Sequence, residues 1–324
     1  MPREGTVGRV QTQRQREGWT TDEAAEAAYG ELVARCRAAI TVLPPGCAFS
    51  HLTAAHLLRL PKSYAMDADT RIHVIRPITS NRVRIPGFCG HRALHPREVV
   101  DVEGLPVVGA ADTWVDLGEL VGRGKPVGLD DLIVVGDACA TFITAREPLV
   151  RACLRRVRPR GKRTLLEAYE EIRVGSASAG ETVARLLLVR GGLPEPLLNE
   201  PIFASRDSGR LLAVGDLVWR IPLPDGRVIK VVGEYQGELF HSSPEQRAWD
   251  DRRADGLGDD DWLVADIWKD DVGKDTARRD TVARFATALE VPHDQLRLSE
   301  VGWRFFSTHA MELAAQRQRR PSAS

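Results

Sequence analysis

The feature that most restricts the fold of this chain is a pair of apolar runs, LLAVGDLVWRIP (211–222) and GRVIKVVGEYQG (226–237), set around LPDG. Short apolar runs bounded by a turn read as strands, and Pro-Asp-Gly is turn chemistry, so the segment reads as one antiparallel hairpin. If the turn centres near Asp225, Asp216 and Glu234 each stand nine positions from the centre and face each other across the ladder. Gln236 lies two residues beyond Glu234 and therefore on the same face.

Two facing carboxylates repel each other, and their coexistence calls for a cation, a raised pKa or generous water. A divalent metal is the economical answer. Mg²⁺ takes oxygen ligands, one or two of them carboxylates, so Asp216 and Glu234 are the expected metal ligands, with Mn²⁺ as a substitute. Gln236 offers an amide to a water or a phosphate but no charged base. In the simpler reading, Asp216 and Glu234 are ordinary polar residues at strand ends.

Upstream, SAGETVARLLLVRGG is a helix stopped by Gly191 and Gly192, with Pro194 beyond. Glu181 joins the acidic pair if the N-terminal end of this helix packs beside the hairpin. Glu181 also stands three residues after Ser178, the spacing of a capping box, and the two roles are compatible. His241, Asp251 and Arg252, downstream of the second strand, are candidates for the rim of the site; Asp251 and Arg252 read equally as a solvated helix face. WLVADIW is a strand and KDTARRDTVARFATAL a closing amphipathic helix. An acidic metal site suits phosphodiester cleavage, where the metal activates water and offsets developing charge.

The N-terminal half has a different texture. TDEAAEAAYGELVARCRAAI (21–40) has helical periodicity, FSHLTAAHLLRLP holds a second short helix with Ser50 as N-cap, and RIHVIRP (71–77) and NRVRIPG (81–87) read as a cationic hairpin. Helix, helix, basic hairpin is the order of a winged-helix module. Arg71, Arg76, Arg82 and Arg84, with His73 among them, either meet DNA phosphates or form one solubilising side of a sheet. His51 and His56 share the short helix, but no third ligand is evident in the sequence, so they read as packing residues. REVVDVEGLPVV reads as one strand, and Trp114, Trp219, Trp262 and Trp268 read as core.

With 324 residues, two domains are expected, divided near the basic stretch RACLRRVRPRGKR. The expected divisions are a tail over 1–20, an N-terminal winged-helix-like domain over 21–157, a linker and connecting helix over 158–175, a catalytic-type domain over 176–312 and a basic tail over 313–324. Lys+Arg and Asp+Glu number 45 each, a balance that rules out whole-molecule attraction to nucleic acid or membranes and leaves only local patches to act. Five scattered cysteines with no C-x-x-C pair fit reduced thiols. The absence of long apolar runs points to a cytoplasmic protein without a membrane partner.

The motifs S-x-G-E-T-x-x-R-L-L-L, G-D-L-V-W, V-x-G-E-Y-Q-G-x-x-H and D-D-R-R resemble those of actinobacterial proteins related to very-short-patch-repair endonucleases, in the PD-(D/E)-x-K nuclease superfamily, over roughly residues 176–290. Upstream, FSHLTAAHLLRLP, GHRA, GLPVVGAADTWVDL and VVGDACA are similar to antitoxins of the AbiEi type. The resemblance implies an α/β fold with a restriction-endonuclease-like mixed sheet flanked by helices, preceded by a winged-helix-like α+β domain that binds DNA. It places Glu181, Asp216 and Glu234 at the superfamily's acidic positions and Gln236 where the motif's lysine stands. Two functions follow as expectations. One is a Mg²⁺-dependent DNA endonuclease of phage defence or repair. The other is a catalytically degenerate DNA-binding or antitoxin-like regulator with a toxin or defence-system partner.

Overall fold

The structure is a computed structural model, and it describes residues 23–205, 209–237 and 256–306. It is mixed α/β, with a five-stranded and a four-stranded mixed sheet flanked by helices. The chain divides into two compact units. Residues up to Val174 form the first, which the chain re-enters at Arg304; Gly175–Trp303 form the second.

In the first unit, helix α1 (Glu23–Ile40) leads to strand β1 (Ala48–Phe49), α2 (His51–Leu57), α3 (Tyr64–Asp67), β2 (Ile72–Pro77), β3 (Phe88–Ala93), β4 (Val99–Val102) and β5 (Leu105–Val108). The sheet order is β3-β2-β1-β5-β4. The expected basic hairpin does not form. β2 pairs in parallel with β3, His73 beside Cys89 and Ile75 beside His91, and residues 81–85 are irregular. Val83 of that irregular segment lies against Gly90, where a side chain would overlap the Val83 backbone. The expected single strand at 97–108 is a hairpin instead, β4 against β5, because Glu103 (φ 56°) and Gly104 (φ 79°) supply a left-handed turn between them.

Helices α4 (Ala110–Leu117), α5 (Leu129–Ile143), α6 (Glu147–Leu154) and α7 (Lys162–Glu171) complete the unit. α5 is buried on all sides from Leu129 to Thr141. Its first N–H groups are met by the returning chain, Leu129 donating to the Phe305 carbonyl and Asp130 to that of Arg304. The stretch 158–175, expected as a linker and connecting helix, contains α7, whose Leu165 and Ala168 are fully buried. Arg156, in the basic run before it, is buried and donates to Asp112 and Asp116, with Arg97 also on Asp116 and Arg155 on Asp112.

The second unit runs α8 (Ala179–Arg190), β6 (Leu197–Phe203), β7 (Leu211–Pro222), β8 (Val228–Gln236), β9 (Leu263–Trp268) and α9 (Asp275–Ala288). The sheet order is β6-β7-β8-β9, antiparallel except for the parallel pair β8–β9. Leu217, Trp219 and Val231 pack with Leu187 and Leu188 of α8 and Phe285 of α9, while Ile202, Val218, Val232 and Trp262 form a second cluster. Trp268 is not core: it is 47 % exposed. All five cysteines are free thiols, four of them buried. Among the described residues no helix is long and apolar enough to cross a membrane.

Candidate functional site

The β7–β8 turn has the expected chemistry. The Leu223 N–H donates to the Arg227 carbonyl, Gly226 takes φ 85°, and the Asp225 carboxylate accepts from the Arg227 N–H. The register runs from Pro222↔Val228 to Leu217↔Gly233, a hairpin centred on Asp225. One step further along this register, Asp216 arrives beside Glu234. There the Asp216 carboxylate accepts the Tyr235 N–H through Oδ2 at 2.8 Å, a side chain standing in for a ladder carbonyl.

β6 is interrupted at the same level. It pairs with β7 at Leu198↔Leu217 and at Glu200↔Gly215, and the intervening Asn199 takes φ 48°. A left-handed residue inside a strand re-aims its side chain. Asn199 Nδ2 reaches Glu181 Oε2 at 2.7 Å and the Gly175 carbonyl at 2.8 Å.

Glu181 comes from the first turn of α8. Ser178 caps that helix, its Oγ accepting the Glu181 N–H at 3.1 Å, and Glu181 Oε2 in return accepts the Ala177 N–H at 2.8 Å. α8 can lie this close to β8 because Gly180 has no side chain; a Cβ there would overlap the Tyr235 ring. The local cap and the long-range site therefore coincide in one carboxylate. Glu181 is 7 % exposed, and burial first and then the charge of Asp216 push its pKa up to about 8. At neutral pH it carries a proton next to an acceptor-rich neighbour.

Glu234, also buried, is in register with Asp266 on β9. Gln236 donates to Asp266 Oδ1 at 2.9 Å. The fold thus brings Glu181 to Asp216 and Gln236 to Asp266. It does not draw Glu181, Asp216 and Glu234 into one tight set. Among the described residues, the groups of three whose ligand atoms all lie within 4.8 Å are His51–His73–His91 and His51–Asp116–Glu119, both in the first unit. His241, Asp251 and Arg252 lie outside the described residues.

The four arginines expected on DNA are engaged elsewhere or dispersed. Arg71 pairs with Asp69, Arg76 donates to the Asn81 and Pro45 carbonyls, Arg82 donates to the Gly90 carbonyl, and Arg84 is exposed on the irregular segment. Sequence reasoning missed Asn199 and Asp266. Asp266 had a signal: it is the central acid of the alternating WLVADIW run. Asn199 had none, because Glu200 and Pro201 beside it hide the strand.

No family profile matches this chain. It is 26 % identical over 234 residues to uncharacterized proteins from the CDC 1551 / Oshkosh and ATCC 25618 / H37Rv strains of Mycobacterium tuberculosis, an alignment covering 70 % of this chain and 78 % of theirs. No solved structure matches.

Proposed function

We propose that the second unit is a restriction-endonuclease-like module that binds a divalent cation and cleaves DNA. The observation that carries this reading is the buried Glu181 set near half-buried Asp216, whose charge, after burial, raises the pKa of Glu181. Such a pair seeks either a proton or a cation. Asp216 and Glu234, facing each other across the hairpin, offer the carboxylate oxygens that Mg²⁺ or Mn²⁺ takes. When bound, the cation supplies charge neutralisation and an acidified water at a phosphodiester. Gln236 orients a water or a phosphate oxygen through its amide. DNA contact does not rest on Arg71 or Arg76, which are committed within the first unit.

The test is incubation of the full-length protein with supercoiled plasmid and duplex oligonucleotides in Mg²⁺ and in Mn²⁺. Cation-dependent nicking or cleavage that disappears in Asp216→Asn is expected. Intact DNA in the presence of folded protein contradicts the reading.

The hydrogen bond from Gln236 to Asp266 favours a second reading, in which a neutral, internally satisfied amide replaces a charged group and the fold serves as a DNA-binding scaffold. That reading gives salt-sensitive DNA binding that survives Asp216→Asn.

A further inference from the structure

We propose that His51, His73 and His91 form a binding site for a divalent transition metal, zinc in the first instance, whose open side faces an arginine-lined cavity for a small phosphate-bearing anion.

The three imidazoles come from α2, β2 and β3 and are brought together in the first unit. The His51 ring stacks on that of His91 with centroids 3.5 Å apart, and His73 lies 5.2 Å from His91. His73 Nδ1 and His91 Nε2 face each other at 3.2 Å. The two nitrogens share a hydrogen bond here, and the separation is also close to the about 3.3–3.4 Å that two zinc–nitrogen bonds of about 2.0–2.1 Å at a tetrahedral angle require. One ligand atom from each histidine lies within 4.8 Å of the other two.

The outer nitrogens are already held. His51 Nδ1 lies 3.0 Å from Ser50 Oγ, and His73 Nε2 lies 3.3 Å from Asp69 Oδ2. Asp69 is itself fixed by Arg71. A carboxylate behind a histidine is how metal-ligating imidazoles are oriented and their tautomer set. The inner nitrogen of His51 has no such partner. His51 is fully buried, yet its Nε2 makes no hydrogen bond; Glu119 Oε2 is 3.9 Å away. Asp116 Oδ2, of the overlapping His51–Asp116–Glu119 group, is likewise buried and without a partner. Unsatisfied buried polar atoms cost about 1–3 kcal/mol each and call for an explanation.

Plain packing of three histidines leaves the buried Nε2 of His51 without a partner, and a metal held by the three rings supplies one.

His91 and Glu119 also line a cavity of about 380 Å³. Arg82, Arg92, Arg97, Arg156, Arg158 and Arg160 line it as well. Arg97 and Arg156 are paired with Asp116, and Arg160 stands 3.8 Å from Glu119. Among the described residues Arg82, Arg92 and Arg158 have no ion pair with a carboxylate. Guanidinium groups converging beside a metal with an open position match the oxygens of a phosphate group. The volume suits a small compound.

The test uses the full-length chain stripped of metal and titrated with cobalt(II), reading the visible bands of tetrahedral cobalt, with zinc content measured in parallel. One equivalent per chain is expected in the wild type, in Asp216→Asn and in His293→Asn, a control at an exposed histidine of the second unit. His91→Gln and His51→Ala, each confirmed folded by circular dichroism, are expected to weaken binding by about tenfold or more. If His51→Ala does not fold, His91→Gln alone decides. Folded wild-type protein that takes up no cobalt or zinc overturns the proposal, as does uptake unchanged in His91→Gln or abolished by Asp216→Asn. Inorganic phosphate is expected to shift the cobalt bands, and a spectrum insensitive to it overturns the anion cavity. None of these outcomes depends on DNA cleavage, so the metal site stands or falls separately from the nuclease reading.

Discussion

Gln236 on β8 donates from Nε2 to Asp266 Oδ1 on β9 at 2.9 Å, tying the two neighbouring parallel strands together two residues beyond Glu234. A lysine there would keep the contact with Asp266 as a charge pair and add a cation beside Glu234. We expect Gln236→Lys to raise cation-dependent DNA cleavage by about tenfold or more, since one well-placed charged donor is worth at least that much in rate. Rates unchanged or lower in this variant favour the scaffold reading.

Glu181 links the site to pH. Its pKa in the folded protein is raised from the ordinary 4.5 to about 8 by burial and by Asp216. Between those values the folded state holds a proton that the unfolded chain has released, so its contribution to stability is full below the lower value and is lost as pH rises toward the upper one. In the absence of divalent cations, stability is therefore expected to fall from pH 5 to pH 8. In Glu181→Gln that decline should largely vanish, leaving the variant more stable than the wild type at pH 8 by an amount on the order of a few kcal/mol. Parallel pH profiles of chemical denaturation for the two proteins give the answer.

Gly180 tests the placement of α8 against β8. A methyl group there would overlap the Tyr235 ring, and overpacking of this kind costs about 1–3 kcal/mol. Gly180→Ala should lower stability by that amount in urea denaturation. Tyr235→Ala in the same chain should recover part of it, as a double-mutant cycle would register.

Arg156 tests the buried ion network of the first unit. It is 5 % exposed and donates to both Asp112 and Asp116. Removing it leaves two buried carboxylates short of a partner, and Arg156→Ala should cost about 3–5 kcal/mol, far more than substitution of an exposed arginine such as Arg84. Thermal unfolding of the two variants compares them directly.

The parts of this protein that could be read from sequence are those where local chemistry and tertiary context agree. The β7–β8 hairpin is one: Pro224-Asp225-Gly226 between two apolar runs fixes the turn, and Asp216 and Glu234 follow by arithmetic. α8 is another, with Ser178 at its start and Gly191 and Gly192 at its end. Legibility fails where long-range pairing decides. Segments 71–77 and 81–87 look like a hairpin because they are adjacent and alternate, yet β2 takes β3 as a parallel partner and the intervening chain folds over Gly90. β6 is hidden by Asn199, Glu200 and Pro201. The three clustered histidines are each about twenty residues apart in sequence, a spacing that no helix or turn turns into a motif. Arg156 looks like surface charge within a basic run, and only the fold supplies its two aspartates.

The account rests on a cation held by Asp216 and Glu234 beside the buried carboxyl of Glu181. The most direct test is isothermal titration of the full-length protein with Mg²⁺ at pH 7 in buffers of different ionisation enthalpy, which reports protons released on binding. Because Glu181 holds a proton at that pH, Mg²⁺ binding should expel close to one proton per site, and both the binding and the proton should be lost in Asp216→Asn. Binding without proton release, or binding indifferent to Asp216→Asn, would contradict it.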